Sequence, residues 1–569
     1  MVKRRRRSDA SIDGEAPSAL LEPVLLPGTS LLELPAALLD DVALRSTQLG
    51  AGGTLSLTCG AFSKTNLLHA PALHIQLDSQ RCDQQLTPSV VAALQSRTCQ
   101  LALTLERQPA QSSRQYITLL TEVLKKLASC AAVEACNLGS IQGPSFSFHK
   151  TLGFSPDLAQ HLMGSFPSLT SLSLHNYSIP CSDLATLLSH PRLSLQLQQL
   201  DLSSTTILQA KRPEPGAATL ANLFHASRLK QLSLLFNTMA EDGINCLLPN
   251  LQPLSQHLTQ LCIQQKGYEE CLNEFTAALQ PLAQLQVLTI YLTPDLGGLS
   301  ELLQALPRLH TLQLPGATVY GQEQLDTLLA ATQLTSIQLH SLQRLTNLRA
   351  DVPCSWQRME VTGYVDCSSV AHLPLHSLTQ PLVLAALAIS AAEGDNCALV
   401  AAAVHNLTQA CSVPVRVKEL WLYMSEDDTA AEQHVELQQL VAVLQALKHC
   451  SFITVRVSDM NVGAADVLTL APLCRACTQL KFACGSVTPS LEFWRQLVQL
   501  MTTVTHLTFY DSDGSASTAM HQSLQLMADQ PWARWLDICI WRPSDSDRLP
   551  TCWQASPLTQ PGKLRVWFK

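Results

Sequence analysis

Apolar residues along much of the chain follow one recurring unit, in which a short alternating run is followed by a helical one. In the run LQVLTI, Leu288 and Ile290 lie two positions apart and therefore share one face of a predicted strand. Downstream, Leu299, Leu302 and Leu303 are spaced i, i+3 and i+4, which is one face of a helix. Each element has an apolar side that it cannot cover alone, so the pattern predicts neighbouring copies of the same unit.

The chain contains thirteen such units, each opening with an apolar triplet of the form LxxLxL. Their first residues are Leu169, Leu197, Leu229, Leu258, Leu285, Leu309, Leu334, Trp356, Leu384, Val417, Phe452, Cys477 and Val504. Successive starts are separated by between 22 residues (334 to 356) and 35 residues (417 to 452). A strand-plus-helix repeat of this length is typical of a solenoid, in which each unit packs on its neighbours.

These thirteen units resemble the leucine-rich repeats of ribonuclease-inhibitor-like proteins. The resemblance implies an α/β solenoid with one strand and one helix per repeat and a curved parallel sheet. One unit carries the full signature, because LKQLSLLFNTM places Asn237 at the position of the family's ladder asparagine. Tyr177, Thr205 and Ala317 stand there in other units, so a continuous asparagine ladder is not expected.

The segment 31–77 precedes the repeats and is predicted to form a short helical N-terminal module. It resembles an F-box, the helical module that docks on the small adaptor subunit of cullin-RING ubiquitin ligases. The matching residues are Leu34, Pro35, Leu38, Leu39, Val42, Leu57, Cys59 and Phe62. The resemblance implies that these side chains form the adaptor-binding surface.

Two features of 31–77 depart from the F-box pattern. Ser46 stands where the motif has a leucine, and Gly50, Gly52 and Gly53 weaken a second helix by about 1 kcal/mol each relative to alanine. The alternative interpretation is a cap, which a solenoid needs to cover the open edge of its first repeat.

The other domain boundaries follow from where the repeat pattern begins and ends. Residues 1–30 are predicted to be a disordered basic tail, in which the run 3–7 is either a nuclear localisation signal or a solvated tip. Residues 78–165 are predicted to be irregular transition repeats, and 166–530 the leucine-rich repeat array. Residues 531–569 are predicted to be an aromatic-rich C-terminal cap, because this end of the chain is rich in tryptophan.

Side chains at the third and fifth positions of each triplet point away from the core, onto the face that is concave in leucine-rich repeat proteins. That face is nearly uncharged in the units that start between 169 and 334, whereas charged and aromatic side chains occupy it from 356 onward. The residues concerned are Arg358, Glu360, Glu419, Trp421, Arg456 and Lys481. Because tryptophan and arginine often anchor interfaces, we expect a partner-binding surface here. The alternative is a solvated sheet face.

Composition and charge indicate a protein that works inside the cell. The net charge of -8 is spread along the chain, so neither nucleic acid nor a membrane surface is expected as a partner. The 19 cysteines are not preceded by a signal-peptide pattern, which predicts free thiols in the cytoplasm or nucleus.

No catalytic residue, cofactor site or metal site is predicted. The chain lacks the GxxxxGK[ST], GxSxG and HExxH motifs, and Cys474 and Cys477 form a C-x-x-C without a second pair of zinc ligands. The sequence therefore predicts protein recognition, with the 31–77 segment linking a captured substrate to a ubiquitin ligase. The alternatives are an interaction scaffold with no ubiquitin role and a regulator such as a GTPase activator.

Overall fold

The computed structural model describes residues 55–56, 72–78, 536–541 and 564–568 and most of 82–510. Within 82–510 the main gaps are 97–99, 107–112, 140–151, 209–223, 237–247, 266–271, 346–353, 391–395, 424–437, 485–489 and 501–505.

Nineteen of the described strands form a single sheet. They are β1 Leu55–Ser56, β2 Ala72–Asp78, β3 Gln100–Glu106, β4 Val133–Gly139, β6 Ser171–His175, β8 Gln199–Leu202, β10 Gln231–Phe236, β11 Gln260–Gln265, β12 Val287–Tyr291, β13 Thr311–Tyr320, β14 Ser336–Gln343, β15 Arg358–Asp366, β16 Leu382–Ser390, β17 Val415–Tyr423, β18 Ser451–Met460, β19 Gln479–Cys484, β20 His506–Tyr510, β21 Leu536–Trp541 and β22 Leu564–Phe568. Each pairs in parallel with the strand before it and the strand after it in this order. The fold is therefore an α/β solenoid of the leucine-rich repeat type.

Helices and a second, smaller sheet complete the repeats. The small parallel sheet consists of β5 Leu152–Gly153, β7 Tyr177–Pro180 and β9 Thr206–Leu208. The α-helices are Pro88–Gln95, Ser113–Lys126, Pro156–Ser165, Cys181–Ser189, Pro191–Gln196, Leu272–Leu279, Leu299–Ala305, Gln322–Ala330, Cys367–Ala371, Asn396–His405, Ala464–Leu470 and Leu491–Leu500, with a further helical stretch over 440–446. Short 3₁₀ helices occupy Leu248–Leu254, Leu375–Ser377 and Ala471–Cys474.

The thirteen predicted units are confirmed as thirteen strands of the main sheet, from β6 to β20. The sheet also extends beyond 166–530 at both ends, through β1 to β4 and through β21 and β22. The helical interpretation of 31–77 is wrong for the residues described there, because Leu55–Ser56 and Ala72–Asp78 are paired strands. Alternation of apolar residues in ALHIQLD outweighs any helical preference, since pairing with β3 satisfies both its backbone and its apolar face.

The core lies between one face of the sheet and the apolar sides of the helices, and it is continuous from Leu77 to Leu497. In the helix Leu299–Ala305, Leu299, Leu302 and Leu303 are all buried, as their spacing predicts. Gly298 precedes this helix with a φ of 83°, a left-handed conformation that glycine adopts without strain. The opposite side of the main sheet, which we call the open face, carries the polar positions of the repeats.

A ladder of shared backbone acceptors fixes the register of the repeats. The carbonyl of Lys230 accepts hydrogen bonds from the backbone N–H groups of both Thr259 (2.9 Å) and Gln260 (2.9 Å) in the next repeat. The carbonyl of Thr259 in turn accepts from Gln286 (2.8 Å) and Val287 (3.0 Å). The same arrangement recurs at the carbonyls of Gln286, His310, Thr335 and Gln357. In the repeats from β6 to β14, the second residue of a triplet thus fixes the position of the next triplet on the neighbouring strand.

Other side chains replace the ladder asparagine of the family. Asn237 lies outside the described residues. At the equivalent position of another unit, the buried hydroxyl of Thr205 donates to the carbonyl of Leu174 in the preceding repeat at 2.6 Å. Threonine supplies one donor where asparagine supplies two, which is enough to satisfy a single buried carbonyl.

One buried polar side chain joins two later repeats. The helix Asn396–His405 ends in a π-helical turn, Asn406–Ala410, whose first residue is buried. The Nδ2 atom of Asn406 donates to the carbonyls of Val370 and Leu373, each at 2.8 Å. These carbonyls lie at and just after the end of the short helix Cys367–Ala371, and each also accepts a backbone hydrogen bond, from the N–H of Leu373 at 3.2 Å and from that of Leu375 at 3.0 Å.

We expect Asn406→Ala to weaken this junction by about 1–3 kcal/mol, because two buried hydrogen bonds between the repeats are lost. Amide hydrogen exchange over 367–378 and 396–411, measured by mass spectrometry, should become roughly five to a hundred times faster. Thr408→Ala is the matched control, since its hydroxyl bonds within its own helix to the carbonyl of Val404. Equal exchange in the two variants would contradict the role given to Asn406.

Candidate functional site

Three predicted binding residues occupy one row of the open face. Trp421 of β17 lies opposite Arg456 of β18, which lies opposite Lys481 of β19. Because the strands are parallel and in register, directly opposed side chains on one face are within contact distance. The parallel register of these strands thus gathers residues that are up to sixty positions apart in sequence (421 to 481).

The indole of Trp421 lies between a cation and a second aromatic ring. The guanidinium carbon of Arg456 is 5.2 Å from the centroid of the Trp421 ring, within the range of a cation–π interaction. The Tyr364 ring lies 5.8 Å from Trp421, at an interplanar angle of 52°. Such contacts are each worth about 0.5–1.5 kcal/mol and they restrict the indole to one orientation. We call Tyr364, Trp421 and Arg456 the aromatic platform.

Two alanines form the floor of the aromatic platform. Tyr364 and Trp421 belong to β15 and β17, so their rings meet across β16, where Ala386 and Ala388 lie opposite them. The alanines are only 7% and 2% exposed, although they are on the open side of the sheet. Larger side chains at these two positions would lift the rings from the sheet.

A β-bulge in β15 sets the position of Tyr364. Val361 and Tyr364 are three positions apart but pair with Leu384 and Ala386, which are two apart. The extra residue falls at Gly363, where a Cβ atom would lie 2.4 Å from Cε1 of His340. Bulges commonly redirect side chains next to functional sites. Here the bulge brings Tyr364 into register with Ala386 and Glu419.

Glu419 connects the platform to Lys481. Its Oε2 atom accepts a hydrogen bond from Nε1 of Trp421 at 2.8 Å, and its Oε1 atom lies 3.2 Å from Nζ of Lys481. Partial burial raises the pKa of Glu419, but hydrogen bonds from Trp421 and Lys481 and the charges of Lys481 and Arg456 outweigh that effect. The pKa of Glu419 therefore lies below its ordinary value of 4.5. The carboxylate is ionised at neutral pH and holds the indole N–H in place.

The remaining two predicted residues form a pair of their own. Arg358 and Glu360, two positions apart on β15, form a salt bridge of 3.3 Å at the start of that strand. Both side chains are partly exposed, so the pair contributes little to stability. It adds charge to the open face beside the platform.

The structure brings four of the six predicted residues into one network and places the other two beside it. Tyr364, Ala386 and Ala388 also belong to the site, and the sequence pattern misses them. The alanines could have been found as small residues on a strand between two strands that carry aromatic side chains on the open face. The F-box-like residues Leu34, Pro35, Leu38, Leu39, Val42, Leu57, Cys59 and Phe62 lie outside the described residues.

The described part of the chain holds no cluster of metal-ligating side chains, and two of its thiols are deeply buried. No group of three or more metal-ligating side chains occurs in it. Burial raises the pKa of the Cys136 thiol to about 12, and burial with the nearby Asp366 carboxylate raises that of Cys367 to about 12. Such thiols are poor nucleophiles and pack as small apolar side chains. Among the helices described, none is both long and apolar enough to cross a lipid bilayer.

Comparisons with known proteins add little to this picture. No family model and no curated protein matches the chain. A solved structure of the TLR13–ssRNA13 complex aligns with 76% of this chain and 48% of the other, at 14% sequence identity and a TM-score of 0.29. The chain thus spans about half the length of that protein, and a TM-score this low supports no inference about fold or ligand. The assignment to the leucine-rich repeat architecture depends on the chain's own strand order and register.

We expect Glu419→Gln to lower the urea midpoint of unfolding at pH 7, because it removes the charge that pairs with Lys481. The pKa of Glu419 is lower in the folded state, so its contribution is present above the ordinary value of 4.5 and is lost as the pH falls through the folded pKa. The difference between wild type and variant should therefore shrink below about pH 4.5.

Glu492→Gln is the control for this titration. The carboxylate of Glu492 is more exposed and lies 3.9 Å from Arg495, so its removal should leave the midpoint nearly unchanged. A wild-type advantage over Glu419→Gln that grows with acidification would contradict the arrangement described for Glu419.

Proposed function

We propose that the protein is a non-catalytic recognition module that binds a protein partner through the aromatic platform. The observation that supports this is the restraint on Trp421, which Tyr364, Arg456 and Glu419 hold on three sides while its ring stays partly exposed. A rigid, amphipathic ring loses little conformational entropy on binding, which is why tryptophan so often dominates interface energetics.

The surroundings of the platform suit a protein partner. Side chains on the open face of β13 and β14, which lead up to β15, are polar, uncharged and partly exposed, among them Gln313, Ser336 and Gln338. Such a surface forms the hydrogen-bonding rim that surrounds an aromatic anchor in protein interfaces. A cytoplasmic or nuclear location is part of the proposal.

We expect Trp421→Ala to reduce partner binding by about tenfold or more, because truncating an interface tryptophan typically costs about 2 kcal/mol. Full-length wild type and variant should be immobilised in equal amounts, and the proteins that each retains from cell extract quantified by mass spectrometry. Partners of the platform are those lost with Trp421→Ala.

Tyr320→Ala is the matched control, since Tyr320 is also a large aromatic, is 59% exposed and lies away from the platform at the end of β13. The proposal predicts that partners lost with Trp421→Ala persist with Tyr320→Ala. If the two folded variants retain the same proteins as wild type, the platform is not the binding site and the proposal fails.

A second proposed role is that of substrate receptor for a cullin-RING ubiquitin ligase. It is supported by the F-box-like residues at 34–62, above all Leu34 and Pro35. The strand Leu55–Ser56 instead favours a cap in part of this segment, because it pairs with the first full strand of the sheet. The two roles share the platform as the substrate site.

For the receptor role, we expect the full chain to bind the purified small adaptor subunit of the ligase in a pull-down. Combined replacement of Leu34, Pro35 and Leu38 by alanine should abolish that binding, because it removes the apolar contact surface. Trp421→Ala should leave adaptor binding unchanged. Absence of binding by the folded wild-type chain would reject the ligase role and leave the recognition module intact.

A further inference from the structure

From the charges around the platform, we propose that its partner is an acidic peptide segment, with an apolar side chain on Trp421 and carboxylates at the start of β15 and β17. This inference rests on the proposed function and specifies the chemistry of its partner. It concerns the platform together with three exposed cations, Arg358, Arg416 and Lys418, which we call the basic edge.

The basic edge is a concentration of one sign of charge. Arg416 and Lys418 are exposed at the start of β17, and Arg358 is exposed at the start of β15. Glu360, which forms a salt bridge with Arg358, is the one acidic residue among the described first three positions of β13 to β19. A carboxylate brought to Arg416 and Lys418 therefore meets two cations at the start of β17.

The net charge of the platform and its surroundings is opposite in sign to the net charge of the whole protein. Arg358, Arg416, Lys418, Arg456 and Lys481 give five positive charges. Glu360, Glu419 and Asp366, which is in register with Ala388 and Trp421, give three negative ones, so the surface carries a net charge of +2. The chain as a whole carries -8. The acidic residues that follow β17 in sequence, beginning with Glu426, come after the opposite end of that strand. Charge of this kind selects partners and speeds their association.

An exposed apolar residue lies within the same edge. Ile453 is 51% exposed, and its neighbours Phe452 and Thr454 pair with Val417 and Glu419, which places it level with Lys418. The surface thus combines an aromatic anchor, a second apolar contact and surplus positive charge. An acidic segment with apolar side chains matches all three, whereas a basic segment would face like charge.

Fluorescence anisotropy with labelled peptides tests the inference on the full-length protein. The probes are short peptides with a central phenylalanine flanked by glutamate, by glutamine or by lysine, together with a uridine oligonucleotide of similar length. We expect the glutamate peptide to bind about tenfold more tightly than the other three at about 50 mM salt. This advantage should shrink severalfold at about 500 mM salt, where surface charges are screened.

The variant Arg416→Glu with Lys418→Glu changes the charge of the surface from +2 to -2 and should remove the preference for glutamate. The matched control is Arg114→Glu with Lys125→Glu, which makes the same change in charge on exposed positions of the helix Ser113–Lys126. Trp421→Ala should weaken the binding of the glutamate peptide without altering its salt dependence.

The inference is overturned if the glutamine or lysine peptide binds as well as the glutamate peptide, or if no peptide binds at millimolar concentration. It is also overturned if the two double variants behave alike, or if the oligonucleotide binds most tightly, which would indicate a nucleic-acid partner. Any of these results leaves the proposed function standing as long as Trp421→Ala still loses protein partners that Tyr320→Ala retains.

Discussion

The shared backbone acceptor at the start of each main-sheet strand from β6 to β15 is the constraint on which the register of these repeats depends. When one carbonyl binds two N–H groups of the following repeat, that repeat has a single register available. A parallel sheet built in this way aligns the third and fifth residues of successive triplets into straight rows. The core on one side and the rows on the other side both follow from that alignment.

The aromatic platform is a departure from this regularity. The bulge at Gly363 adds one residue to β15, and the paired positions beyond it shift relative to β14 and β16. This shift places Tyr364 opposite Ala386. The small side chains of Ala386 and Ala388 leave room for the Tyr364 ring to contact Trp421. The aromatic platform thus coincides with an irregular strand, as is common where a regular scaffold carries a functional site.

The spacing of apolar residues was sufficient to predict the solenoid and the strands β6 to β20, because burial on one side of a sheet and one side of a helix dictates that spacing. It also indicated which face holds Arg358, Glu360, Glu419, Trp421, Arg456 and Lys481. It did not indicate Tyr364, since a bulge leaves the apolar pattern of its own strand almost unchanged. Nor did it predict β1 and β2. Glycines precede β1, and the alternating apolar run of β2 is too short to stand out from the sequence around it.

The direction of the hydrogen bonds in the main sheet has a mechanical consequence. They run from strand to strand and therefore along the length of the solenoid, so tension between the ends of the array pulls on them lengthwise. Each repeat is held by its own set of bonds and its own contacts with two neighbours. We therefore expect an array under tension to yield repeat by repeat from an end, while repeats far from the break keep their shape.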